Sequence, residues 1–395
     1  MRSTHWQRIC QHKRKYWGCG MFTASANYGF APHDFHEFVL HVAIRAAVPG
    51  VCGPNAASMA AMNQMVAPAA PHPTPVPYAT GLLDVGNGHQ VYFEQLGQPS
   101  GLPLVFLHGG PGSGCSVRHR QMFDMQRHRI LLFDQRGCGR SLPRGSVRHN
   151  TSAHLVADIE RLRIHLGIAR WLVVGGSWGA GLALAYAAQH ALSCLGLVLR
   201  GVFLGRASDT DWFFQQVRQL LPDAWEALAQ GAPAAARADL LRWLAASVSS
   251  AGQLSAHGAA QAWAAWEQAV SERSVPASEV ARLTGDAAQA QVDKYRVQGH
   301  YLTNGCFWGD TGLLQRVATL VQLPTAILHG RLDWICRPSA AWDLHRHLPG
   351  SRLQWLDSCG HSPFEPAMAR AMIDVISHFS THGQFAGWGR DFSAD

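Results

Sequence analysis

The sequence predicts an α/β fold with a mostly parallel sheet, flanked by helices and carrying one inserted all-helical block. Three observations predict it. Continuous apolar runs alternate with stretches of helical periodicity, the pattern of parallel strands joined by crossover helices. The alternation stops for roughly a hundred residues rich in Ala, Leu, Trp and Gln, and then resumes. A Gly-rich serine motif stands directly after one of the apolar runs.

The individual elements follow from the length and period of each apolar run. Short runs bounded by turn residues are typical of strands, whereas Leu155, Ile159 and Leu162 recur at helical spacing. Strands are predicted over residues 89–97, 103–110, 129–137, 171–177, 195–203, 324–330 and 352–357. Helices are predicted over residues 152–167, 180–189, 340–347 and 366–379, and through most of 209–290.

The chain divides into three regions by composition. Residues 1–76 lack sustained periodicity and end in an Ala- and Pro-rich stretch, so they are predicted to be a poorly ordered extension and linker. The α/β core is predicted over residues 77–205 and 311–385. An all-helical insertion over residues 206–310 interrupts this core and is predicted to form a cap.

Composition excludes several classes of protein. The formal charge of +7 is spread along the chain apart from a short run at Lys13, Arg14 and Lys15, which argues against a nucleic-acid partner. No apolar run approaches the 18 or more residues of a membrane span, so no membrane association is expected. Nine cysteines without CxxC pairs are typical of free thiols in a reducing cytoplasm.

No metal or other cofactor is expected. His33, His36 and His41 lie close together in the sequence, but no cysteine or carboxylate pattern completes a recognisable ligand set around them. A phosphate-binding loop is also disfavoured, because the glycines of the chain do not form G-x-G-x-x-G and no GK[ST] follows them.

The segment from Gly175 to Gly179 matches the G-x-S-x-G nucleophile elbow of the α/β-hydrolase fold, with Ser177 as the nucleophile. It follows an apolar strand and precedes an Ala-rich helix, which is the context that the motif requires. Side chains two positions either side of the serine would clash in so tight a turn, which explains the glycines at 175 and 179.

A serine at its ordinary pKa needs a base and a group that orients the base, and in this fold they follow in the order Ser, Asp, His. Asp333 stands just past a predicted strand, and His361 stands in the loop after the next strand. Functional loops of an α/β sheet lie at these carboxyl ends of strands. The sequence therefore predicts a triad of Ser177, Asp333 and His361.

An oxyanion hole is predicted beside this triad. The small residues of "HGGPGSG", 108–114, follow the second apolar strand and allow backbone N–H groups to face a developing oxyanion. Gly110 and Trp178 are the predicted donors.

These motifs together resemble the prolyl aminopeptidase (proline iminopeptidase) family of α/β-hydrolases. The resemblance is carried by "HGGPG" at 108–112, "DQRGCGRS" at 134–141, "GGSWG" around Ser177, "GRLD" at 330–333 and "GHSPFEP" at 360–366. It implies release of N-terminal proline from small peptides with a free N-terminus, through an acyl-enzyme on Ser177 and without a metal or cofactor.

The resemblance also implies a substrate pocket, and the match there is partial. Glu267 in "AWEQ" stands where the family carries a carboxylate for the substrate amine. The family's second carboxylate is replaced by Gln298, and the aromatic residue that ends the same motif is replaced by Leu302. Phe203 keeps its expected place in the proline pocket, and Phe213 replaces a tyrosine.

Two other functions compete with the aminopeptidase. An esterase or amidase would use the same catalytic machinery with an altered cap. A binding protein that kept the fold without catalysis is the alternative from another class, and the intact Ser177, Asp333 and His361 argue against it.

Overall fold

The structure is a computed structural model that describes residues 74–250, 252–274, 283–309 and 312–389. The predicted extension and linker, residues 1–76, lies outside the described residues except for its last three. The histidines at 33, 36 and 41 lie outside them as well. No helix in the described ranges is long and apolar enough to cross a membrane.

Eight strands form one sheet in the order β1-β2-β4-β3-β5-β6-β7-β8. β1 pairs with β2 and β2 with β4 in antiparallel fashion, and every later pairing is parallel. The mostly parallel sheet is thereby confirmed. The strands are β1 (Ala79–Gly86), β2 (His89–Gly97), β3 (Leu102–Leu107), β4 (His128–Phe133), β5 (Trp171–Gly176), β6 (Cys194–Arg200), β7 (Thr325–Gly330) and β8 (Arg352–Leu356).

Ten α-helices accompany the sheet in the described part of the chain. They are α1 (Ser152–His165), α2 (Trp178–His190), α3 (Ala207–Asp211), α4 (Pro222–Ala229), α5 (Leu240–Val248), α6 (Gln253–Glu272), α7 (Gly285–Thr303), α8 (Gly312–Arg316), α9 (Pro338–His347) and α10 (Pro366–His382). Shorter helical turns lie at Val117–Met122, Ala191–Ser193, Val217–Gln219, Ala234–Asp239, Gly305–Phe307 and Val317–Leu320, and Trp212–Gln216 is a π-helical turn.

The central strands are buried on both faces, as their continuous apolar sequences require. Alternate residues of β5 divide between two apolar cores. Val173 packs in the core that also contains residues of α1 and α2, whereas Leu172 and Val174 pack in the core that contains residues of α10. Because β3, β5, β6, β7 and β8 pair in parallel, their carboxyl ends lie at one edge of the sheet.

All elements described between β6 and β7 are helical, and buried residues from Phe213 to Tyr295 form an apolar core of their own. Trp263 stacks on Tyr295 of α7 with ring centroids 5.0 Å apart, and Phe214 meets Trp263 edge to face at 5.4 Å. We call residues 207–309 between β6 and α8 the helical block.

One strand was not predicted. β1 lies at the sheet edge with only alternate residues partly buried, so its apolar signal is weak. The turn that joins it to β2 contains Asn87 and Gly88 with φ of 57° and 75°. Asn-Gly between two strands is a strong hairpin signal, and it could have revealed β1. The predicted strand 103–110 was also too long, because the chain turns after Leu107 into the "HGGPG" loop.

Candidate active site

Ser177 lies on the sharp turn between β5 and α2. Its φ of 57° and ψ of −125° lie outside the regions that non-glycine residues usually adopt. The turn is held because the Ser177 N–H donates to the carbonyl of Arg200 at 2.8 Å, and the Ala180 N–H donates to the carbonyl of Ser177 at 2.9 Å. The side chain of Ser177 consequently lines a pocket.

The glycines of the elbow are required by contact with backbone. A Cβ on Gly175 would collide with the carbonyl of Gly179, and a Cβ on Gly179 would collide with the carbonyl of Leu107. Neither carbonyl can move away as a flexible side chain could. The steric explanation of the motif is thus confirmed at both positions.

Asp333 and His361 form a hydrogen-bonded pair. Asp333 Oδ2 lies 2.8 Å from His361 Nδ1, and Asp333 Oδ1 accepts from the N–H of Ile335 at 3.0 Å and of Cys336 at 2.8 Å. Burial alone would raise the pKa of Asp333, but the charge and hydrogen bond of His361, together with His329 and the Cys336 N–H, lower it. A carboxylate that stays ionised there holds the proton of His361 on Nδ1.

Two buried basic residues support this pair and were not found from the sequence. His329 accepts the Val202 N–H on Nδ1 at 3.2 Å, and its Nε2 lies 2.8 Å from the carbonyl of Cys336. Arg200, 6% exposed, donates from Nη1 to the carbonyl of His361. Both contacts fix loops that carry the candidate triad. The Val202–His329 and Arg200–His361 contacts join residues 127 and 161 positions apart in the sequence, so no local pattern indicates them.

The two predicted oxyanion donors lie on loops that Gln135 joins. Gln135, buried in the "DQRGCGRS" segment, donates from Nε2 to the carbonyl of His108 at 2.9 Å and accepts the indole N–H of Trp178 at 2.8 Å. Its own N–H donates to His108 Nε2 at 3.0 Å, which places the proton of that ring on Nδ1. Gly110 has a φ of 120° and lines the pocket with Ser177.

Trp178 begins α2, and the first N–H groups of a helix lack intrahelical acceptors. The N–H of Trp178 therefore lies at the N-terminus of α2, where the partial positive charge of the helix favours an anion beside Ser177. The indole is fully buried and stacks on Trp308 with centroids 5.2 Å apart.

All five predicted substrate-binding residues line the pocket that contains Ser177. The core contributes Phe203 just after β6, and the helical block contributes the rest. The twelve lining residues are Gly110, Ser177, Phe203, Asp209, Thr210, Phe213, Phe214, Glu267, Gln298, Leu302, Ile335 and Cys336.

Glu267 is engaged by two neighbours on α7. Its Oε2 accepts from Lys294 Nζ at 2.7 Å and from the hydroxyl of Tyr295 at 2.6 Å. Burial would raise the pKa of Glu267, but the Lys294 charge and both hydrogen bonds lower it, so the side chain is an anion at neutral pH. Sequence reasoning missed Lys294 and Tyr295, since neither belongs to a recognised motif.

Gln298 lies one helical turn after Lys294 on α7 and is 4% exposed. Its Oε1 is buried without a hydrogen-bond partner in the described part of the chain. An unsatisfied buried carbonyl costs about 1–3 kcal/mol, so this atom favours a ligand that donates a hydrogen bond.

Comparison with known proteins agrees with this geometry. Residues 103–367 match the family model of the alpha/beta hydrolase fold. The chain is 43% identical over 312 residues to the proline iminopeptidase of Xanthomonas citri, covering 78% of this chain and 99% of that protein. This chain belongs to the proline iminopeptidase family. It is also 42% identical over 311 residues to a probable proline iminopeptidase of Leptolyngbya boryana, covering 78% and 96%.

Solved structures agree on the fold of this family member. The esterase RhEst1 from Rhodococcus sp. ECU1013 superposes with a TM-score of 0.52 at 20% identity, covering 77% of this chain and 98% of the esterase. At that identity the likeness extends to the α/β-hydrolase fold alone.

Proposed function

We propose that this protein is a serine aminopeptidase that releases N-terminal proline, or a similar small residue, from short peptides. The observation that carries the proposal is one pocket in which Ser177 meets Glu267, a carboxylate fit to receive a protonated amine. A nucleophile and an amine site in the same small pocket restrict cleavage to the first residue of a chain.

In the proposed mechanism, Ser177 Oγ attacks the carbonyl carbon of the first residue while His361 Nε2 takes the hydroxyl proton. Asp333 holds Nδ1–H of His361 in place, which leaves Nε2 as the basic nitrogen. His361 then gives the proton to the leaving amine, and an acyl-enzyme on Ser177 remains. Water then attacks the acyl carbon while His361 Nε2 takes its proton, and His361 gives this proton to Ser177 Oγ as the ester bond breaks and the free acid leaves.

Negative charge develops on the substrate carbonyl oxygen in both halves of the reaction. The backbone N–H groups of Gly110 and Trp178 are the proposed donors to this oxygen. Donors of this kind contribute about 10²- to 10³-fold each to turnover, because they are oriented before the charge forms. Gln135 supports both donors by joining their loops.

Glu267 is the proposed anchor for the α-amine, whose ordinary pKa of about 7.7–8.0 leaves it mostly protonated at neutral pH. Both bonds that Glu267 makes on α7 use Oε2, and Oε1 is the oxygen proposed to meet the amine. Gln298 offers a neutral acceptor, and Phe203, Phe213 and Leu302 are proposed to contact the ring of proline.

The proposed domain arrangement assigns residues 77–205 and 311–385 to the core and 206–310 to a cap that covers the pocket. It is supported by the helical block, which contributes seven lining residues from Asp209 to Leu302. We further propose a cytoplasmic location and small peptides as the partners. The six cysteines in the described ranges are all free thiols, which suits a reducing compartment.

The function is tested by hydrolysis of proline 7-amido-4-methylcoumarin and by labelling with a fluorescent prolyl phosphonate. Wild-type protein should hydrolyse the amide and take one label per chain. Ser177→Ala should lower turnover by about a million-fold and abolish labelling while the melting temperature stays close to wild type. Retention of a tenth of the activity in Ser177→Ala would exclude Ser177 as the nucleophile.

A further inference from the structure

Both carboxylates that line this pocket form ion pairs within the protein. Two carboxylates are among the lining residues, and each is paired with a basic side chain. Asp209 accepts from Arg206 at 3.0 Å and from Arg337 at 2.9 Å, and Glu267 accepts from Lys294 at 2.7 Å. Each carboxylate that lines the pocket therefore faces a cation already supplied by the protein.

Lys294 differs from the two arginines in its position. It lies on α7 four residues before Gln298, so the two side chains share one face of the helix. Its ammonium also approaches the hydroxyl of Tyr295 at 3.2 Å, and this hydroxyl is bonded to the same Glu267 oxygen. The face of α7 toward Glu267 thus presents a cation and a neutral amide.

We infer that Lys294 sets the substrate preference of the site by supplying an internal cation to Glu267. The pocket then takes acyl groups with an uncharged end as well as those with a protonated amine. This inference rests on the proposed function, since it concerns the same pocket and the same acyl transfer. The substrate class that it adds is the small cyclic acyl amide or ester without an α-amine.

Two physical effects reduce the advantage of a protonated amine over an uncharged group in this pocket. The Lys294 ammonium repels a second cation bound at Glu267, and it offsets the attraction between Glu267 and a protonated amine. The unpartnered Oε1 of Gln298 is a neutral acceptor that can take a hydrogen bond from an uncharged donor as well as from a charged one. The difference in binding free energy between a protonated amine and an uncharged group is consequently smaller here than beside a carboxylate without an ion pair.

The test uses two substrates of the same shape. Prolyl 7-amido-4-methylcoumarin and the cyclopentanecarbonyl amide of the same fluorophore differ by one ring atom, NH₂⁺ against CH₂. The measured quantity is the ratio of their kcat/KM values at pH 7 and low salt. We expect wild type to favour the prolyl amide by no more than about 150-fold, the upper value of a single hydrogen bond to a charged group, because the CH₂ group forms no hydrogen bond.

Lys294→Met should raise this ratio by about three- to ten-fold, mainly through a lower KM for the prolyl amide. Lys294→Gln is a second neutral variant that should act in the same direction if the methionine is not tolerated. Lys294→Arg keeps the charge and should keep the wild-type ratio within about two-fold.

The outcomes separate the inference from the function. An unchanged or lower ratio in a folded neutral variant, with prolyl hydrolysis intact, overturns the role of Lys294 alone. A similar rise in Lys294→Arg would assign the effect to geometry instead of charge and would also overturn it. Failure of wild type to cleave the prolyl amide would overturn the proposed function, and the inference with it.

Discussion

The sheet and the helical block contribute to one pocket in different ways. At the sheet edge, the elbow of Ser177 and the Asp333–His361 pair are fixed by backbone contacts, and no side chain could be added at Gly175 or Gly179 without a collision. In the helical block, the Glu267 carboxylate on α6 is held by the side chains of Lys294 and Tyr295 on α7, and Gln298 Oε1 has no hydrogen-bond partner among the described residues. The proposed reaction chemistry is therefore tied to the fold, whereas the proposed selectivity depends on a few side chains.

The largest expected effect lies at the sheet edge. Asp333→Asn should lower kcat by about 10⁴-fold, because an amide in this place favours the wrong tautomer of His361. KM for a proline amide should change little, since Asp333 contacts the catalytic loops and not Glu267. Steady-state kinetics check the split between kcat and KM. A loss confined to KM would remove the distinction between the two regions.

An intermediate effect is expected at Gln135, which joins the loop after β3 to the start of α2. Gln135→Leu removes the bonds to the His108 carbonyl and to the Trp178 indole with little change in volume. Displacement of the N–H donors should lower kcat by about ten- to a hundred-fold at constant KM. Gln135→Glu is the matched control, because it can still accept from the indole and loses only the donor to His108. Equal losses in the two variants would exclude the indole bond as the positioning contact.

The smallest effect is expected in the helical block. Gln298→Glu adds a second negative charge and should lower KM for a proline amide by about ten-fold with little change in kcat. Gln298→Met removes the polar atoms at similar size and should not lower KM. An equal fall in KM for the cyclopentanecarbonyl amide would show that charge is not what the new carboxylate supplies.

The candidate residues at the carboxyl edge of the sheet could be predicted from the sequence because their signals are local. The elbow, the strand ends before Asp333 and His361, and the small residues of "HGGPG" are each defined by neighbours in the sequence. The strands that carry them were found from their continuous apolar runs, with errors of a few residues where a run continues into a loop. The edge strand β1 was missed because residues 80, 82 and 84 of its eight are exposed, which weakens its apolar signal.

The contacts that tune the site are non-local and could not be found in this way. Lys294 meets Glu267 across 27 residues, and Arg200 meets His361 across 161 residues. Sequence reasoning placed Glu267 and Gln298 in the pocket through resemblance to a family. It did not anticipate that Lys294 pairs with the Glu267 carboxylate. A lysine on a helix surface is common, and only its partner in space reveals its effect.

Gly112 in the "HGGPG" loop has a consequence for how the pocket can open. A Cβ at this position would collide with the backbone carbonyl of Lys294, so the loop and α7 touch main chain to main chain. Further along α7, His300 and Tyr301 bond to the backbone and side chain of Asn150 in the core at 2.8 and 2.7 Å. α7 is therefore the part of the helical block that is anchored to the core, through both its backbone and its side chains. A displacement of α7 would also displace the "HGGPG" loop, which carries Gly110.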